Sequence, residues 1–345
     1  MRGSRPDGAR FQRVANPFGA RFITTILLLG CAITSQSFAA PGTPVTALAF
    51  SPDGESVVAS AHKSIVVRAV KDGKVHRSIG CEFPRVSSLA FDRDGSLLAV
   101  AGGTPGERGS MTLLDWKSSK VLARLDGFDD LVTSVAFSPD NARVAVASAD
   151  HSAKVARLEG RSLKAGFALA GHSGPVLGVA FSTDGTMIVT ASGDRTVRVW
   201  DGRDGKLLRT FSHHTATVHA VAFRPPAPAG AAGVAAFCAT ASDDKTVRVW
   251  QPDIGRMVRI IRGHEGPVHS LAWSPDGARL FTAGSDGMVR AFDGGSDQRL
   301  QEWRASDDWI YSVAVHAKAD TMATGDWSGS VRLWSILEGA AKRVW

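Results

Sequence analysis

The sequence predicts an all-β fold: a seven-bladed β-propeller of four-stranded antiparallel blades, preceded by an N-terminal signal segment. Three observations predict it. The stretch from Gly171 to Phe211 divides into four short runs separated by turn residues, the same pattern recurs along the chain, and the recurrences are nearly evenly spaced.

Within that stretch, Val176 to Phe181 alternates in polarity and ends at a Thr-Asp-Gly turn. Met187 to Ala191 follows, then a Gly-Asp-Arg turn, the β-branched run Thr196 to Trp200, and a last run from Lys206 to Phe211. A sheet this small has two apolar faces and two edges that it cannot bury alone, so copies must stack and the array must close.

Seven copies can be counted. The first strand recurs as VTALAF ending at Phe50, VSSLAF at Phe91, VTSVAF at Phe137, VLGVAF at Phe181, VHAVAF at Phe223, VHSLAW at Trp273 and IYSVAV at Val315. Successive spacings are 41, 46, 44, 42, 50 and 42 residues, and five of the runs lead into turns of the type SPDG, DRDG, SPDN or STDG. The third strand recurs too, as IVVRAV, MTLLDW, AKVARL, TVRVWD, TVRVWQ, MVRAFD and SVRLWS. A hydrophobic share of 44% supplies a core, and 36 Gly suit a chain rich in turns.

Residues 1–39 are of another kind. Five Arg lie in the first 21 residues, the uncharged run Phe22 to Thr34 is too short to span a bilayer, and Ser37-Phe38-Ala39 has small residues where a signal peptidase reads. The expected processing is export with cleavage after Ala39. Leu28-Leu29-Gly30-Cys31 resembles the lipobox of bacterial lipoproteins, which offers the alternative of a lipid on Cys31. Either route leads to the periplasm or cell envelope of a bacterium, secreted or lipid-anchored. The membrane is then met only through the signal segment or that lipid.

Charge and cysteines exclude more than they assign. Five Arg and one Asp in residues 1–39 account for +4 of the net +7, and the +3 left for 40–345 is no basis for nucleic-acid binding. Cys81 and Cys238 fall in the first and fifth copies, where a bridge would have to cross the ring, so no disulfide is expected.

These motifs together resemble the WD-repeat (G-beta-like) family of seven-bladed propellers, over everything after about residue 43. The resemblance implies a polar set that holds each blade: a His before the first strand, a Ser or Thr in the second, an Asp in the next turn and a Trp in the third. Carried over, the sets are His172, Thr190, Asp194 and Trp200 in the fourth blade and His214, Thr240, Asp244 and Trp250 in the fifth. The sixth has His264, Thr282 and Asp286, with Phe292 for Trp. Their recurrence in successive blades argues for a structural role over a catalytic His, Asp and hydroxyl.

The first three blades lack the His and carry Arg68, Trp116 and Ala156 at the Trp position, while the seventh has Ser306 for His and Ser328 for Asp. Those blades are expected to lean on apolar packing. The tail GAAKRVW matches the fourth strands of other copies, so the seventh blade should be self-contained, with Trp345 buried where it meets the first. Two insertions stand out, Arg224 to Gly233 in the fifth blade and GGTPGERGS from Gly102 in the second. The second lacks the lysine and helix of a phosphate loop and is expected to be mobile.

No haem, metalloprotease or nucleophile-elbow motif occurs, so no enzyme activity and no cofactor are expected. His213, His214 and His219 are the one cluster of His along the chain, and with His214 committed to a blade no metal site is expected. The resemblance implies that contacts come from the residue before the first strand, the second residue of that strand and the residue before the turn Asp. In the seventh blade these are Trp309, Tyr311 and Trp327. His269 lies next in the sixth blade, then His219 and Asp243 in the fifth, with Arg85, Leu131 and Leu177 at matching positions elsewhere. The expected function is that of a monomeric scaffold that binds a protein partner on its narrow face, the alternative a ligand or metal site at the channel mouth. The Trp rings could instead pack against neighbouring blades, standing in for the missing His and Asp.

Overall fold

The computed structural model describes residues 42–226, 236–316 and 320–345. The signal segment, its two processing sites at Ala39 and Cys31, and residues 227–235, which take in most of the fifth-blade insertion, lie outside the described residues.

Seven separate four-stranded sheets form, and in every one the strands pair antiparallel in chain order. The first strands are Leu48–Phe50, Arg85–Phe91, Val132–Phe137, Val176–Phe181, Val218–Phe223, Val268–Trp273 and Ile310–Val315. Each packs against the first strand of the next blade, and Leu48–Phe50 packs against Ile310–Val315, so these seven line the hub of a closed ring.

The turn after the first strand shows why the SPDG-type sequences recur. Ser182 Oγ donates to Asp184 Oδ1 at 2.6 Å and accepts from the Met187 amide at 2.9 Å, and Gly185 takes the left-handed φ of +72° that the tight reversal needs. Ser51, Ser138 and Ser274 make the same pair of contacts.

The core is divided into seven apolar clusters, one for each pair of facing blades. Trp200 fills the one between the third and fourth blades and Trp250 the one between the fourth and fifth. The seam between the seventh and first blades is built from Val45, Val57, Ala59, Ala323, Val331 and Leu333. The Val45 amide also donates to the Asp326 carbonyl at 3.0 Å, and Ser312 Oγ donates to the Val45 carbonyl at 3.1 Å.

The seventh blade is self-contained, with Ala341–Val344 as its outer strand. Trp345 corrects the expectation of full burial, because it is half-buried. Its backbone pairs with Val331 and its ring covers the apolar seam, with the Arg68 guanidinium 5.7 Å from the ring centroid. Arg68 thus meets from the next blade the indole that its own blade lacks.

The second-blade insertion is a further correction. It forms no loose loop but lengthens a hairpin, with Gly102 opposite Ser110, Gly103 opposite Gly109 and Thr104 opposite Arg108. The glycines serve close approach: a Cβ on Gly102 would lie 2.1 Å from the Arg85 carbonyl oxygen, and one on Gly109 would lie 2.3 Å from that of Asp130. Cys81 is half-buried and Cys238 buried, both free, with burial pushing the Cys81 thiol up to about 11. Among the described residues no helix is long and apolar enough to cross a membrane.

Candidate functional site

The expected polar sets assemble as networks. In the fourth blade His172 Nδ1 lies 2.8 Å from Asp194 Oδ2, His172 Nε2 lies 2.7 Å from Thr190 Oγ1, and Trp200 Nε1 donates to Thr190 Oγ1 at 2.9 Å. A carboxylate only accepts, so the imidazole hydrogen sits on Nδ1, Thr190 donates to Nε2, and the hydroxyl is left to accept from the indole. The fifth blade repeats this at 2.7, 2.8 and 2.8 Å through His214, Asp244, Thr240 and Trp250.

In the sixth, His264 joins Thr282 at 2.7 Å and Asp286 at 3.1 Å, and the Arg290 guanidinium donates to Asp286 at 2.6 Å. Burial works to raise the Asp194 carboxyl, but hydrogen bonds from Thr196 and His172 outweigh it and hold the group well below the usual carboxylate range. Burial likewise lowers the basicity of His172, against the pull of Asp194.

The seventh blade corrects the expectation of apolar packing. Its carboxylate has moved two residues, to Asp326, which accepts from Ser306 Oγ at 2.7 Å, from Ser328 Oγ at 2.6 Å and from the Ser330 amide at 3.0 Å, and pairs with Arg332. Trp334 Nε1 still donates to Thr324 Oγ1 at 3.0 Å. Ser306 and Asp326 therefore take the places of the missing His and Asp, and Trp309 and Trp327 are not needed there. In the third blade Asp150 keeps the turn, accepting from Ser152, while buried Phe128 occupies the His position.

At the hub one position matters most. In the second to seventh blades the pairing between first and second strands skips the second residue of the first strand, a β-bulge at Ser87, Thr133, Leu177, His219, His269 and Tyr311. A bulge lifts its residue out of the ladder and re-aims the side chain. The matching residues of the first three blades are Thr46, Ser87 and Thr133, and each hydroxyl donates to a carbonyl of the following blade, that of Val86, Val132 and Val176 respectively, with 2.5 Å for Thr46 and 2.6 Å for Thr133.

Rings replace hydroxyls on the other side. His219 meets His269 edge-on at 5.0 Å between centroids, Tyr311 stacks on His269 at 5.0 Å and 14°, and Trp327 follows at 5.6 Å from Tyr311. Trp309 closes the group, 6.3 Å from both Tyr311 and Trp327. Trp309 and Trp327 are 50% and 48% exposed, whereas Tyr311, His269 and His219 are half-buried.

The structure thus brings Trp309, Tyr311, Trp327, His269, His219 and Asp243 together across three blades. Arg85 is exposed and close enough for its charge to act on the Tyr311 hydroxyl, which burial otherwise raises. Leu177 is half-buried, and Leu131 is buried at 8% exposure and offers little surface.

The His cluster expected along the chain does not form in space. His214 is held inside its blade, and exposed His213 lies edge-on to Trp250. His219 instead joins Asp243, with Nε2 to Oδ1 at 2.6 Å, and His269 of the next blade. Burial, then the like charge of His219, pushes His269 down to about 4, and its Nε2 is buried without a hydrogen-bond partner among the described residues. The signal for this grouping was present as a His at the second place of two successive first strands, VHAVAF and VHSLAW.

A closed ring of seven four-stranded blades with these networks defines a WD-type propeller. The sequence model of the family described as WD domain, G-beta repeat, matches residues 33–68, 119–155, 164–201, 205–251, 255–293 and 297–335, well over half of the chain. The chain belongs to this family, whose propellers are generally scaffolds that bind protein partners. The six matched segments leave out the first three strands of the second blade, whose hairpin is lengthened. No curated protein matches the chain in sequence.

Proposed function

We propose that the protein is an exported, non-enzymatic scaffold, monomeric as a ring, that captures a protein partner on the hub surface formed by Trp309, Trp327 and Tyr311. One observation carries this reading. Of nine Trp, only Trp309 and Trp327 are exposed, and they lie beside one another with Tyr311 and His269 stacked beneath.

Large rings held in place by a rigid frame bury much area at small entropic cost, which is why Trp and Tyr dominate binding energy at interfaces. Their faces suit a partner that presents apolar side chains or an Arg or Lys. The Ser306 to Asp326 hydrogen bond ties together the two loops that bear the indoles, so the pair is presented in a fixed relation.

The double variant Trp309→Ala with Trp327→Ala tests the site. It should keep the wild-type melting temperature and lose the protein that the wild-type ring retains from native envelope, identified by mass spectrometry. A folded double variant that retains the same protein at wild-type strength rejects the reading. Export is checked by the mass of the mature chain: a start at Ala40 supports cleavage after Ala39, a lipid-modified Cys31 supports the alternative, and an intact Met1 rejects both.

A further inference from the structure

His219, Asp243 and His269 reach one point from three places: the bulge of the fifth blade, the residue before its turn Asp244, and the bulge of the sixth. One candidate ligand atom from each lies within 4.8 Å of the other two. The side chains of His219 and Asp243 are 25% and 33% exposed, so the point is open to solvent on one side. On the other side it is closed by the His269 ring, which Tyr311 holds flat by stacking.

The buried Nε2 of His269 has no partner among the described residues, and such a nitrogen is costly to keep unless something unseen satisfies it. Two other buried side-chain nitrogens share that condition, Arg198 Nε and Arg259 Nε, but each belongs to a guanidinium with further donors. His269 has one other ring nitrogen and no further donors.

We propose that His219, Asp243 and His269 bind a divalent first-row cation of the zinc class, with the solvent-facing position left to water or to a ligand atom. Two imidazoles and one carboxylate are the donor set that such ions take in open three-ligand sites. Calcium and magnesium need a cage of oxygens, which this group does not supply. The ion would sit between His219 Nε2 and Asp243 Oδ1, in place of the hydrogen they share, and would occupy the lone pair of His269. Zinc–ligand bonds of about 2.0 Å require His219 Nε2 and Asp243 Oδ1, now 2.6 Å apart, to part slightly around the ion. The site needs neither Trp309 nor Trp327 and stands whether or not a partner binds there.

The test is titration of zinc chloride alone into the metal-stripped ring, followed by calorimetry. One zinc per chain is expected, with a dissociation constant of roughly 10 µM or tighter, and a rise in melting temperature. Asp243→Ala and His269→Ala should each weaken uptake at least about tenfold. His269→Phe, which keeps a flat ring for Tyr311 to stack on, should do the same without lowering the melting temperature of the zinc-free protein. Trp309→Ala with Trp327→Ala should leave the affinity unchanged. Absence of uptake at about 100 µM zinc, or one-to-one binding that survives His269→Phe, would overturn the site.

Discussion

The first three blades and the three that follow solve the same stability problem in different places. In the fourth, fifth and sixth, a buried chain of His, Asp and hydroxyl fastens each blade internally. In the first three no such chain exists among the described residues, and the hydroxyls of Thr46, Ser87 and Thr133 fasten each blade to its successor at the hub. The difference teaches that internal fastening releases the hub. Where the blade holds itself, the bulge residue is free to be Leu177, His219 or His269, and the aromatic surface begins there.

The largest effect expected is on the internally fastened side. Trp200 is 1% exposed, and Trp200→Ala should cost on the order of 3 to 5 kcal/mol by denaturant unfolding, through a cavity and the lost indole to Thr190 bond. Trp200→Phe, which spares most of the volume, should cost distinctly less.

Next comes the seam. Removal of residues 341–345 deletes the outer strand of the seventh blade and the half-buried Trp345 ring, and should lower the melting temperature by a shift equivalent to roughly 2 to 4 kcal/mol. An unchanged temperature would refute closure by packing.

On the hub-fastened side, Thr133→Val keeps the shape but leaves the Val176 carbonyl without its donor, and about 1 kcal/mol should be lost. A loss of the size seen for Trp200→Ala would erase the contrast between the two halves.

The smallest effect is a slope. The Asp194 carboxyl is depressed in the folded state, so its contribution is present above the unfolded pKa and is lost as pH falls through the folded one. His172, also depressed, stays neutral when folded while the unfolded imidazole takes up a proton below its ordinary value. Both act in the same direction, and unfolding midpoints measured from pH 7 down to about 3 should fall steadily. A midpoint that rose on acidification would contradict the assigned protonation.

Much of this was legible in the sequence, because strand period and turn chemistry are local. The seven first strands, the networks of the fourth to sixth blades and the adjacency of Tyr311 to His269 follow from equivalent places in successive copies. What was hidden depends on register or on space. Asp326 lies two residues from the expected position, and only the fold shows that its carboxylate reaches Ser306. GGTPGERGS has the composition of a loop, and its glycines are explained only by the Arg85 and Asp130 carbonyls that press on them. His219 was grouped with His213 and His214 along the chain, while in space its neighbours come from a different turn and a different blade.

The carbonyl of Asp326 receives the Val45 amide across the seam, and Trp327 is the very next residue. A molecule clamped on Trp327 and Trp309 would therefore act as a clasp, immobilising the loop on which the first sector of the torus latches. Occupancy and annular integrity become linked quantities, and amide-exchange protection at Val45 should rise when the hub surface is filled.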